Sequence, residues 1–218
     1  IERLLYMTQP LSLHWADVAA AKVIREQGDK ISYVVASGIT PSGKIHVGNF
    51  REVITVEFVA RALCALGKKV RFIYSWDNFD TFRKVPKNLP DPEKFAPLLF
   101  QPIARIPDPW GQEDSYPKGQ IDLFEEELRK VGIKPEYLYQ EEKYSKGEYA
   151  HTIRQALEHK DTIAEILNRH RSTPLPADWL PSAIYCSHCQ KDKMKSERYE
   201  GEWSYSYECA HCGHQENV

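Results

Sequence analysis

Apolar residues change their spacing twice within the first third of the chain, and this change predicts a strand, a helix and a second strand. Residues 32–36 form a short β-branched apolar run, residues 50–66 carry apolar side chains at helical spacing, and residues 69–75 form a second apolar run. This order predicts a β–α–β unit with two parallel strands. In such a unit the loop after the first strand lies at the carboxyl edge of the sheet, where ligands usually bind.

Between the second apolar run and the C-terminal region, the chain is predicted to contain several helices and a third strand at residues 136–139. Amphipathic spacing predicts helices over four segments: residues 14–28, 120–131, 147–160 and 161–171. Residues 86–116 are rich in proline, which predicts an irregular excursion with a short helix near residues 93–99. Residues 1–13 are interpreted as a leader or flexible N-terminus, with Met7 a candidate native start.

The loop between the first strand and the helix, SGITPSGKIHVGNF at residues 37–50, has the composition of a phosphate-binding loop. Its three glycines permit positive φ or close backbone approach: Gly38, Gly43 and Gly48. The helix that begins near His46 offers free N–H groups and a partial positive charge, and His46 and Asn49 add donors. Neither GxGxxG nor the Gly-Lys-Ser/Thr of a P-loop is present, so the loop by itself is a weak signal.

Two Cys-x-x-Cys pairs near the C-terminus predict a structural metal site. Cys186 and Cys189 are separated from Cys209 and Cys212 by 19 residues, a spacing typical of a zinc ribbon with four thiolate ligands. Residues 202–208 alternate like a hairpin strand that leads into the second pair.

Two alternatives remain for these cysteines. Disulfides are disfavoured because the fifth cysteine, Cys64, lies unpaired on an apolar helical face and no secretory signal is present. His214 lies close enough in sequence to replace Cys212 as a ligand, so four cysteines are the favoured set.

Four ordered blocks carry a resemblance to a known family. PSGKIHVGN at residues 41–49 resembles the HIGH signature of class I aminoacyl-tRNA synthetases, with Asn49 at its last position. Together with SGIT at 37–40, WDNFDTFRKVP at 76–86 and PDPWG at 107–111, it resembles a class I lysyl-tRNA synthetase from about His14 to the C-terminus. The resemblance implies an α/β fold: a Rossmann-like parallel sheet with helices, plus a small zinc-ribbon module.

The resemblance also implies a reaction. In this family the carboxylate of lysine attacks the α-phosphorus of ATP bound with Mg²⁺, pyrophosphate leaves, and the lysyl group passes to the acceptor end of tRNA(Lys). His46 and Asn49 are the expected catalytic donors. The residues expected to bind ATP are Thr40, Pro41, Gly43, His46, Gly48 and Asn49. A cytoplasmic location follows from the same resemblance.

Lysine carries a cationic tip, so its pocket is expected to contain a carboxylate. Asp77 and Asp80 follow the second strand directly, with Trp76 and Phe79 available to line the methylene stem. The alternative is that Asp77 caps a turn and that Asp80 forms an ion pair with a following basic residue, Arg83 or Lys84. By family resemblance Gly38 and Thr40 bind the backbone of the amino acid.

The predicted organisation is a catalytic domain at 14–173 with an insertion at about 86–119, followed by a zinc-ribbon module at 174–218. A second zinc site that some members carry is expected to be absent, since this chain has Gln112, Glu113 and Gly119 there. The family's KMSKS loop and anticodon-binding domain are expected beyond this chain. The KMKS of residues 193–196 is interpreted as a lysine-rich hairpin tip.

Composition excludes some classes of protein but does not identify the function. The 218 residues are 42% hydrophobic, enough for a core of ordinary size, and no apolar run approaches the roughly 20 residues of a membrane span. The net charge of −2 gives no global attraction to nucleic acid, so tRNA contacts must come from basic clusters at residues 83–87 or 191–195, unless these are solvated faces.

Three alternative functions remain. The chain could bind nucleotide, lysine or the tRNA acceptor end without completing the chemistry. A glutamyl-type class I synthetase is disfavoured because Asp77 and Asp80 would repel an acidic substrate. A nucleic-acid-binding adaptor built on the zinc ribbon is disfavoured by the glycine loop, which an adaptor does not need.

Overall fold

The computed structural model describes residues 14–87 and 89–218, so the predicted leader and Met7 lie outside the described residues. The α-helices are α1 Trp15–Gln27, α2 Val47–Ala65, α3 Tyr116–Lys130, α4 Gln140–Ser145, α5 Ala150–Glu158 and α6 Lys160–Asn168. The strands are β1 Ser32–Ile39, β2 Lys69–Trp76, β3 Glu136–Tyr139, β4 Met194–Gly201, β5 Ser204–Cys209 and β6 Gln215–Asn217. Within the described ranges, no helix is both long enough and apolar enough to cross a membrane.

The chain divides into two compact units that interleave along the sequence. Among the described residues, the first comprises 14–39, 45–75 and 126–138, and the second comprises 40–44, 76–87, 89–125 and 139–218. The domain bounds expected from the sequence, 14–173 and 174–218, stay a prediction.

The first unit is built on the predicted β–α–β element. Strands β1, β2 and β3 lie side by side in that order in a parallel sheet, which confirms the α/β fold class. One face of β1 packs against α1 and α2 around a core that includes three alanines: Ala16, Ala20, Tyr33, Ala62 and Leu63. The small alanines let the two helices approach the sheet closely, so the loop after β1 is held by a rigid scaffold.

The second unit contains the proline-rich excursion, most of which packs into a separate hydrophobic core. Its buried members are Phe82, Leu89, Phe95, Ile103, Ile106 and Tyr116. The short helix predicted near residues 93–99 is instead two 3₁₀ turns, Pro92–Lys94 and Ala96–Leu98, followed by a third at Ile103–Arg105. Proline lacks the N–H that a continuing α-helix needs, so Pro97 interrupts the segment.

Strands β4, β5 and β6 form an antiparallel sheet that carries the cysteines. The tip of the β4–β5 hairpin lies at Glu202 and Trp203, with Glu202 in a left-handed conformation (φ 50°). The KMKS of residues 193–196 was predicted to be this tip, and that prediction is wrong: Met194 begins β4 at the opposite end of the hairpin.

Candidate functional site

The loop after β1 leads into α2 through a reciprocal capping arrangement. His46 is the N-cap, and its Nδ1 accepts a hydrogen bond from the Gly48 backbone N–H at 3.0 Å. The Asn49 side chain returns the bond, since its Oδ1 accepts from the His46 N–H at 3.1 Å. Together the two side chains satisfy two backbone donors at this helix terminus.

This cap determines which ring nitrogen of His46 can donate a hydrogen bond to a ligand. An imidazole whose Nδ1 accepts a hydrogen bond carries its proton on Nε2. His46 is exposed and caps the first turn of a 19-residue helix, so a ligand at this terminus can reach its side chain. The arrangement can therefore donate to an anion through the imidazole and through helix N–H groups.

Two of the three loop glycines are explained by close approach. A Cβ at Gly38 would lie 2.4 Å from the Ser75 carbonyl oxygen on β2, and one at Gly48 would lie 2.7 Å from Cε1 of the His46 ring. Neither has a positive φ, so the close-approach part of the prediction explains them. A Cβ at Gly43 would meet nothing within 4 Å, so neither close approach nor a positive φ accounts for that glycine.

The segment that follows β2 belongs to the second unit and forms a tight acidic turn. The Asp80 N–H donates to the Asp77 carbonyl at 3.3 Å. The Asp80 carboxylate accepts from the Thr81 N–H at 2.8 Å and from the Thr40 hydroxyl at 3.5 Å. Arg83, one of the ion-pair partners considered for Asp80, pairs with Asp192 at 3.3 Å. The structure thus brings Thr40 to Asp80 and directs Arg83 elsewhere.

Asp77 and Asp80 both line a cleft of about 710 Å³, here called the aromatic cleft. Its aromatic residues are Phe79, Tyr144, Tyr149, Tyr185 and Tyr205. Phe79 stacks on Tyr144 at 5.3 Å between ring centroids and meets Tyr185 edge to face at 5.4 Å. A cleft lined by both aromatic rings and carboxylates suits a ligand with an apolar stem and a cationic tip.

A second cleft of about 490 Å³, the basic cleft, is lined by residues of the same segment. It is lined by Arg83, Lys84 and Lys87 and by the hydroxyl residues Thr40 and Ser42. Asp80, Thr81 and Arg83 line both clefts, and these three residues are called the shared wall below. Cations and hydroxyl donors are the groups that bind phosphate oxygens.

The interpretation of Trp76 as a wall of the lysine pocket is wrong. Trp76 is fully buried, and its indole N–H donates to Glu125 Oε1 at 2.9 Å. Tyr139 donates to the same oxygen at 2.8 Å, and Phe124 packs edge to face on the indole. Glu125 was not identified from the sequence because it lies 49 residues from Trp76 and has no motif around it. Phe79 does line the aromatic cleft.

The four predicted cysteines come together. Cys186, Cys189, Cys209 and Cys212 place their sulfur atoms within 4.8 Å of one another, and all four are free thiols. The Cys186–Cys212 and Cys189–Cys209 sulfurs are 3.7 and 3.6 Å apart. A disulfide requires about 2.05 Å, whereas four sulfurs placed about 2.3 Å from a tetrahedral zinc ion are separated by roughly 3.8 Å. The donor set fits a zinc ion.

Both cysteine pairs lie on turns of the same construction. The first cysteine N–H of each pair donates to the carbonyl five residues on, at Lys191 and at His214, over 3.0 and 2.8 Å. The residue four positions after that cysteine has a positive φ, 60° at Gln190 and 72° at Gly213. Each turn directs both sulfurs of its pair towards the common cluster.

The thiols differ in acidity because their surroundings differ. Burial acts to raise the pKa of Cys186, but the backbone N–H groups of Cys189 and His188 outweigh it and lower the pKa to about 7. Burial dominates at Cys189 and raises its pKa to about 12. His214 lies outside the sulfur cluster, with Nε2 3.3 Å from Ser187 Oγ and 3.5 Å from Glu216.

The basic cluster at residues 191–195 is used in packing. Lys191 is buried and donates to the Pro97 carbonyl at 2.8 Å. Lys193 lies 4.0 Å from the centroid of the Phe100 ring, and Lys195 pairs with Glu208 at 2.7 Å. Of the two clusters, the one at residues 83–87 therefore keeps its cations at a cleft.

Comparison with known proteins gives one consistent result. Residues 13–218 match the family model described as tRNA synthetases class I (K). A lysine–tRNA ligase of Borrelia garinii subsp. bavariensis is 49% identical over 205 residues, which is 94% of this chain. The corresponding ligases of Thermococcus kodakarensis and Treponema pallidum are 50% and 44% identical over 89% and 95% of the chain.

The chain spans only part of these relatives. It covers 39% of the length of the Borrelia protein, 37% of the Thermococcus protein and 39% of the Treponema protein.

Proposed function

The chain belongs to the class I (K) family of tRNA synthetases, and on that premise we propose that it carries the aminoacyl-adenylate site of a lysine–tRNA ligase. The reaction joins lysine to tRNA(Lys) in two steps. The lysine carboxylate first attacks the α-phosphorus of ATP, which enters with Mg²⁺, and pyrophosphate leaves. The lysyl group then passes from AMP to the terminal adenosine of the tRNA.

His46 and Asn49 are proposed to act on the phosphates. The Nδ1 cap at Gly48 holds the imidazole with its proton on Nε2, where it can donate to a phosphoryl oxygen. The attack places additional negative charge on oxygens of the α-phosphate, so fixed donors and the N-terminal dipole of α2 stabilise the transition state. Thr40, Pro41, Gly43 and Gly48 complete the proposed nucleotide loop.

Asp77 and Asp80 are proposed to recognise the lysine ammonium group. The observation that carries this proposal is that both carboxylates line the aromatic cleft. Phe79 and the tyrosines there offer apolar surface for four methylene groups, while the carboxylates complement the terminal charge. Gly38 and Thr40 are proposed to bind the backbone of the amino acid. A glutamyl substrate is disfavoured, since the carboxylates would repel it.

The basic cleft is proposed to bind phosphate groups of the tRNA acceptor end. Arg83, Lys84 and Lys87 supply three cations at one cleft, and Asp80 is the only acidic residue among the described residues that line it. This local charge compensates for the small negative net charge of the chain. The predicted cytoplasmic location is part of the same proposal.

The four cysteine thiolates are proposed to hold a structural Zn²⁺. When bound, the ion would cross-link the two turns, contributing folding stability without taking part in the reaction.

A pair of histidine substitutions tests the adenylate site. His14 caps α1 through its Nδ1, as His46 caps α2, so His14→Ala and His46→Ala remove the same kind of cap. Each is expected to cost about 1 kcal/mol of stability. Only His46→Ala is expected to weaken binding of a nonhydrolysable lysyl-sulfamoyl adenosine in titration calorimetry, by roughly 10- to 100-fold, because a charge-assisted hydrogen bond is lost.

Two further results complete this test. His46→Asn keeps a good capping side chain and loses Nε2–H, so it should bind as weakly as His46→Ala. Equal affinities for wild type, His14→Ala and His46→Ala would contradict the role given to His46.

A further inference from the structure

We propose that Tyr185 and Asp192, which flank the first cysteine pair, are positioning residues for the shared wall of the two clefts. Neither belongs to a motif that identifies the family. The inference concerns how Asp80, Thr81 and Arg83 are held, and it rests on the proposed function only for the consequence that this hold affects lysine binding.

Tyr185 bonds to two parts of the segment around the wall. Its hydroxyl lies 2.8 Å from Thr81 Oγ1 and 3.1 Å from the Phe79 carbonyl oxygen. Its ring also packs edge to face on Phe79. One side chain beside a cysteine thus contacts the residues on both sides of Asp80 in the chain.

Asp192 continues this network from the other end of the first cysteine turn. Its Oδ2 accepts from Thr81 Oγ1 at 2.7 Å and lies 3.3 Å from Arg83 Nη2. A carboxylate only accepts, so the Thr81 proton is directed to Asp192, and the Tyr185 hydroxyl donates to Thr81 or to the Phe79 carbonyl. The Tyr185 hydroxyl has a single proton, so it donates to one of these two acceptors, and either bond joins Tyr185 to the segment around Asp80.

The environment of Asp192 is unusual for a residue kept only for packing. Its side chain is 6% exposed, and its Oδ1 is buried with no hydrogen-bond partner among the described residues. A buried carboxylate oxygen without a partner costs stability. A charge on the Asp192 carboxylate serves to orient the Arg83 side chain. Arg83 lines both clefts, and its side chain is largely exposed.

The network reaches the proposed lysine-binding carboxylate in one further step. Thr81, whose side chain both residues hold, is itself buried, and its backbone N–H donates to Asp80 Oδ1 at 2.8 Å. Displacing Thr81 would therefore move the carboxylate that faces the aromatic cleft. Thr81 thus connects Tyr185 and Asp192 to Asp80.

The test compares two tyrosines of the same region. Tyr185→Phe removes the hydroxyl that holds Thr81 and keeps the ring. Tyr207→Phe removes a hydroxyl bonded to Ser187 and Glu216, close to the same cysteine pair, and Tyr207 lines neither cleft. Asp192→Asn is the second test variant, since it keeps the size of the side chain and removes the charge that faces Arg83.

Hydrogen exchange of the peptide covering residues 79–84 is the primary readout. Tyr185→Phe and Asp192→Asn are expected to speed exchange at Thr81 and Phe82 by about tenfold. Tyr207→Phe should leave these amides unchanged, and metal analysis should give the same zinc content for all variants. Unchanged exchange in both test variants, or an equal rise in Tyr207→Phe, would overturn the proposal.

Titration with lysyl-sulfamoyl adenosine then separates the positioning role from the function. A fall of about tenfold in affinity, confined to the two test variants, supports a role in the lysine site. Faster exchange with unchanged affinity would overturn that role. If wild type binds no analogue, the proposed function fails, while the exchange result still decides whether these residues hold the wall.

Discussion

At the scale of single residues, Gly38 is present because two strands approach closely. A Cβ at this position would lie 2.4 Å from the Ser75 carbonyl oxygen and 2.9 Å from the Ser75 Cβ. Real Cβ atoms do not approach backbone so closely, so any larger residue must push β1 away from β2. The loop that follows β1 would then shift with it.

Gly38→Ala is therefore expected to lower the free energy of unfolding by about 1–3 kcal/mol, the usual cost of overpacking. Gly43→Ala is the matched control. Its Cβ would meet nothing within 4 Å and its φ is not positive, so its stability should stay within about 0.5 kcal/mol of wild type. Urea unfolding of both variants measures the difference, and equal stabilities would show that the close approach is not a constraint.

Among single residues, a cluster was predictable where residues of one chemical type recur at a characteristic spacing in the chain. The four cysteines were identified by spacing alone, and they meet in one cluster. The wrong interpretation of Trp76 has a physical cause: the sequence places an indole at the end of a strand but does not show that Glu125 holds it in the core. The capping bond that orients His46 depends on backbone geometry that no motif specifies.

At the scale of elements, the strands were predicted most accurately because their apolar runs are local. The third strand agrees at both ends, β1 is longer than predicted by three residues, and β2 is longer by one residue. Helix α4 was missed because Gln140–Ser145 is short and mostly polar, with no periodicity to detect. The 3₁₀ turns were missed because proline marks a break without specifying what replaces the helix.

The ribbon formed by β4, β5 and β6 is the element in which stability is expected to depend on metal. Cys209→Ser should reduce bound zinc well below one ion per chain and speed hydrogen exchange across residues 186–214. Zinc supplies about 10–16 kcal/mol of apparent binding energy in comparable peptides, and serine is a poor substitute for a thiolate. Metal analysis and exchange mass spectrometry measure both effects.

Cys64→Ser is the control for this prediction. Cys64 is an exposed free thiol on α2 and lies outside the sulfur cluster, so its loss should leave the zinc content at one ion per chain. A folded wild-type protein that contains no metal would contradict the assignment of a structural zinc.

At the scale of the whole molecule, the sequence does not reveal how the chain is partitioned. Each compact unit is assembled from three separate segments, so no linker composition marks their boundary. The contacts of Thr81 with Tyr185 and Asp192 join residues 104 and 111 positions apart. Local patterns could predict the α/β fold class and the cysteine cluster, but pairings over such separations depend on packing.

In the function proposed above, this chain holds a lysyl-adenylate through carboxylates that recognise the ammonium group. Titration calorimetry of wild type with lysyl-sulfamoyl adenosine and its norleucyl counterpart tests this recognition, because both ligands have a four-carbon side chain and only the lysyl ligand carries a terminal ammonium group. Recognition of the ammonium group by carboxylates predicts saturable binding that favours the lysyl ligand by about tenfold or more, as expected for a charge-assisted contact. Equal affinities, or no binding of the lysyl ligand, would contradict it.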